Sequence, residues 1–120
     1  MIRAVTALAL LLSAPLSAQE QAPPTPQLGL EQQTALRCSA AFAIVAQLQA
    51  AGMGDAFPQV GDRGREFFVR STAQLMDDTG ATREQITGMV RAEVDYLGED
   101  IARLTGVMPA CLSLLDASGL

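Results

Sequence analysis

The sequence predicts an all-α fold, a small bundle of about four helices with one disulfide linking the first and last. Three observations predict it. Apolar residues recur at steps of three and four, and strand-like alternation is absent. Helix start and stop residues divide the chain into segments of helical length. Two cysteines, Cys38 and Cys111, lie near opposite ends of one domain.

The pairing of those cysteines follows from the N-terminus. Residues 1–18 read as a secretory signal peptide: Arg3 is the positive start, Ala4 to Leu12 the apolar core, and Leu16-Ser17-Ala18 the cut site. The alternative is a retained membrane anchor, but the apolar part is about half the ~20 residues a span needs. Cutting after Ala18 leaves 102 of the 120 residues, enough for one domain. Exported cysteines meet an oxidising compartment and pair; the alternative is two free buried thiols. Neither cysteine has another ligand-type residue beside it, so the pattern is not that of a zinc or Cys-x-x-Cys redox site. Residues 19–29, with Pro23, Pro24 and Pro26, read as a flexible tether, and 30–120 as a single helical domain.

The first helix is expected over about 30–52. Cys38, Ala41, Phe42, Val45, Leu48 and Gly52 share a face, and Gly52 supplies the left-handed stop. Arg37, Ser39, Gln47 and Gln49 fall mostly elsewhere. The many alanines favour helix and let a neighbouring helix approach closely. Asp55 to Pro58 reads as the second start. Val60, Gly64, Phe67, Ser71 and Leu75 follow on one face, and Gly61 and Gly64 mark a kink or a close crossing. Asp77-Asp78-Thr79-Gly80 ends that element.

Thr82-Arg83-Glu84-Gln85 has the form of a capping box and opens the third helix. Ile86, Met89, Val90, Val94, Leu97, Ile101 and Leu104 carry it to Leu104, with Glu93 the polar intruder and Gly98 a bend point. Pro109 is expected to start a short fourth helix reaching Ala117, with Cys111, Leu114 and Leu115 facing one way.

Function is less legible. The chain has no histidine, lysine or tryptophan, which removes the commonest base for nucleophile and metal chemistry. Gly52-Met53-Gly54 follows no strand, so no phosphate loop is present. Glu93, Asp95, Glu99 and Asp100 lack calcium-loop spacing and read as a solvated face, with Arg91–Asp95 and Arg103–Glu99 as surface pairs. In the arginine-aromatic run 63–70, Phe67 and Phe68 read as lying in or beside the core with the arginines on the outer face; the alternative is an anion or nucleic-acid contact. Tyr96 reads as a half-buried packing residue, and Met53, Met76, Met89 and Met108 as core fillers. After the cut, seven arginines face thirteen acidic residues, a net charge of −6. Such a domain repels nucleic acid and anionic lipid as a whole.

The expectation is therefore an exported, non-catalytic helical protein, periplasmic or secreted, that binds another protein. It needs no cofactor and no metal, and its mature chain has no membrane span. One alternative is a carrier or sensor of a small apolar ligand held by Phe42, Phe67, Met89 and Leu97. An enzyme using only carboxylates and arginines is a third class. In export, size class and a helix-to-helix cysteine pair, the layout is similar to the periplasmic acid-stress chaperones. That similarity of layout implies, as a further alternative, unfolding and client holding at low pH.

Overall fold

A computed structural model describes residues 24–120. The expected leader and residues 19–23 of the expected tether lie outside the described residues. Four helices follow in order: α1 Leu30–Ala50, α2 Gly61–Thr79, α3 Arg83–Gly98 and α4 Ile101–Ala117. No strand occurs among the described residues.

Helix α1 is the hub: each of the other three packs more extensively on it than on any other helix. Cys38, Ser39, Ala40, Ala41 and Phe42 are all buried. Five consecutive buried positions wrap more than a full turn, so the helix is covered nearly all round there. This enlarges the expected single face. Ser39 tolerates burial because its hydroxyl donates to the Ala35 carbonyl at 2.8 Å. The Gly29 N–H starts the helix by donating to the Gln32 side chain at 3.0 Å. Gly52, at φ +75°, ends it, with the Met53 N–H donating to the Leu48 carbonyl at 2.8 Å.

The second helix begins later than Asp55–Pro58 suggests. A single α1 side chain claims the polar groups of the intervening loop. Gln49 donates to the Phe57 and Pro58 carbonyls at 3.3 and 2.9 Å, and its Oε1 accepts from the Val60 N–H at 3.3 Å. Gly54 lies against the same residue: a Cβ there would stand 2.8 Å from the Gln49 main-chain nitrogen. The expected close crossing occurs at Gly64, where a Cβ would meet those of Val60 and Phe42 at 3.2 and 3.3 Å.

Helix α3 opens as expected. The Gln85 N–H donates to Thr82 Oγ1 at 3.1 Å, and Thr82 N–H to Gln85 Oε1 at 3.0 Å. It ends at Gly98 rather than Leu104. Asp100 intervenes, accepting the Ala102 N–H at 2.9 Å and capping α4. Pro109 is therefore inside α4, not at its start. The missing N–H leaves the Thr105 carbonyl without its helical partner. Both residues are exposed, so water can serve that carbonyl. Leu104, Met108, Cys111 and Leu115 form the buried face.

Cys38 and Cys111 are bonded, joining α1 to α4 across 73 residues. Both are about 1 % exposed, within the larger core cluster around Phe42, Phe67, Leu97 and Leu104. A second cluster holds Leu36, Leu75, Ala81 and Ile86, and Leu28 packs on it. The Pro24 carbonyl accepts from Gln85 Nε2 at 3.3 Å. Of the expected core methionines, Met108 is buried whereas Met53 is 69 % exposed.

Closing a loop of this length contributes roughly 4 kcal/mol in the chain-entropy treatment. Replacing both cysteines by alanine is expected to lower unfolding free energy by about 2–4 kcal/mol in urea titration; a loss under about 1 kcal/mol would show the helices hold without the bond. Gly54→Ala is expected to cost about 1–3 kcal/mol by the same measurement, because Gln49 must shift and release the loop.

Candidate functional site

The structure brings three of the four expected pocket residues together. Phe42, Phe67 and Leu97 lie in one cluster, no more than 5 % exposed. The two rings meet edge to face, centroids 5.3 Å apart. Met89 packs instead against the Leu36–Leu75–Ile86 cluster. The recesses next to these residues are open grooves between helices.

One groove of about 510 Å³ runs between α1 and α2, over Phe42, Ala46, Gly64 and Phe68. A second, about 560 Å³, lies where the start of α1 meets α2, over Ala35, Phe67 and Leu75, with Leu30 at its edge. A third, about 380 Å³, separates α2 from α3 beside Val69, Met76 and Val90.

The main polar centre ties α1 to α3. Glu93, whose side chain is 12 % exposed, accepts from Arg37 Nε at 2.9 Å and from Gln33 Nε2 at 2.6 Å. Arg37 stands 5.4 Å from the centre of the Tyr96 ring, and Arg103 4.5 Å. Arg103 also pairs with Glu99 at 3.1 Å, as the spacing suggested. The expected Arg91–Asp95 pair does not form among the described residues. Asp100 is a helix cap.

The hydrogen bond to Glu93 raises the Arg37 pKa, against a lowering by burial; the charges of Glu93 and Tyr96 add to the rise. A raised cation pKa contributes stability below the ordinary arginine value and loses it only as pH climbs through the raised one. The tie therefore persists through neutral and moderately alkaline solution. Its charges are committed to each other, and the contacts brace α1 against α3.

Among the described residues, no group of three or more Asp, Glu, Cys or His side chains could hold a metal ion. No helix there is long and apolar enough to cross a membrane. No family model, curated protein or solved structure matches this chain.

The function of Glu93 escaped its local sequence. Its one signal was a carboxylate intruding on an apolar stripe; the partners are 56 and 60 residues away. Glu93→Gln is expected to cost about 1 kcal/mol in urea titration, below the usual range for charged hydrogen bonds because Arg37 is partly solvated. In a double-mutant cycle with Arg37→Gln, coupling within error of zero would show that the pair adds nothing.

Proposed function

We propose that this chain is a small exported, non-catalytic helical protein that works by binding another protein, in the periplasm or, if secreted, beyond it. The support is where its apolar surface lies. The aromatic centre is closed on itself by the Phe42–Phe67 contact, and the recesses beside it open onto the helix seams. Apolar grooves rimmed by polar side chains suit a partner's side chains. The buried disulfide is consistent with an oxidising compartment.

A second reading, a carrier of a small apolar ligand, has one observation in its favour. The α1–α2 groove falls within the ~300–1,000 Å³ of small-molecule sites and is floored by Phe42 and Phe68. Of the four residues first expected to hold a ligand, only Phe42 lines it.

In vivo crosslinking of the full chain at its natural abundance is expected to recover one protein in near-stoichiometric yield. Native mass spectrometry of protein from its own source separates the readings: a retained small-molecule mass without any protein adduct would replace the first by the second.

A further inference from the structure

We infer that the groove between the start of α1 and the body of α2 receives a basic amphipathic segment of a partner protein, with apolar anchors flanked by lysine or arginine. The inference rests on the protein-binding reading above and assigns its surface and the partner's chemistry.

Three observations converge there. The groove is the largest of the three at about 560 Å³, and its floor is apolar, made by Ala35, Phe67 and Leu75. At its edge stands Leu30, 86 % exposed, the most exposed large apolar side chain among the described residues. An apolar floor continued by an exposed leucine is a surface that water solvates poorly and a partner's side chain covers well.

Charge then selects the partner. The groove's charged lining is Glu31, Asp78 and Arg70. Arg70 is engaged by Glu66 at 2.8 Å, whereas Glu31 and Asp78 form no ion pair among the described residues. Asp78 accepts from the Gln74 amide at 2.7 Å, a neutral partner that brings no opposite charge. The rim thus offers two uncompensated carboxylates beside an apolar floor. Beyond the rim, the chain as a whole carries −5, which attracts a cationic segment from a distance and speeds its encounter. The same field repels nucleic acid phosphates and anionic bilayers and opposes docking of a second copy.

The test uses the full oxidised chain and two synthetic 18-residue helical peptides with the same leucine face, one bearing lysines elsewhere and the other glutamates. Fluorescence anisotropy at low salt is expected to show the lysine peptide binding at least tenfold tighter, a difference that shrinks with added salt. Glu31→Lys with Asp78→Lys is expected to weaken it at least tenfold, about 1.4 kcal/mol, and Leu30→Ala to weaken it several-fold. Glu84→Lys with Asp95→Lys changes total charge equally at exposed sites that do not line the groove and is expected to stay within threefold. These five side chains are exposed, and circular dichroism is the check that each variant folds. Equal binding of both peptides, or equal losses from the two charge-reversed pairs, overturns the groove.

A photo-crosslinking residue at Ser71, which lines the groove, or at exposed Ser113 on α4 separates this inference from the broader reading. Protein adducts from Ser113 alone, or adducts between two copies from Ser71, overturn the groove while leaving protein binding standing. No protein adduct from either position overturns both.

Discussion

Helix α1 and its covalent link to α4 are the constraint on which the other packing depends. Over residues 38–42, where α1 is buried nearly all round, no solvent face can absorb a misfit, so the neighbours must fit closely. Small side chains make that fit possible. Ala40, Ala41 and Ser39 leave room on α1, and Gly64 leaves room on α2, where a Cβ would crowd Phe42. The bond between Cys38 and Cys111 then holds α4 against this hub. A domain of about a hundred residues has a modest margin of stability, and a long closed loop supplies a large share of it.

Polar side chains of α1 settle the remaining geometry. Gln49 holds the loop that leads to α2 through three hydrogen bonds. Arg37 and Gln33 meet at Glu93 and set where α3 lies. Among the described residues, every buried side-chain nitrogen or oxygen has a hydrogen-bond partner. Satisfied polar groups restrict the number of alternative packings, because any shift would strand one of them in a poorly solvated place.

The buried cluster around the Phe42–Phe67 contact has consequences for recognition. Part of the apolar surface left over lies in seams between helices, with different charges at each seam. The seam at the start of α1 is acidic at its rim, whereas the α2–α3 seam has Arg83 as its charged lining. One small bundle therefore presents chemically distinct edges without any change in its interior.

Much of the fold was written locally. The Thr82–Gln85 box, the Gly52 stop and the apolar periodicity act over one or two turns, and each appears where its residues stand. The cysteine pairing was legible because the leader-like start predicts export, and two cysteines in an exported chain have one simple outcome. Where two local signals competed, the three-dimensional setting decided. Pro109 is a sound helix start by itself, yet Asp100 caps first and the proline is carried on an exposed face. Asp55 to Pro58 likewise yields to Gln49. The gathering of Phe42, Phe67 and Leu97, the separation of Met89, and the partners of Glu93 belong to the tertiary structure alone. Periodicity tells which face of a helix is apolar, but which neighbour meets that face depends on closing the space between segments tens of residues apart.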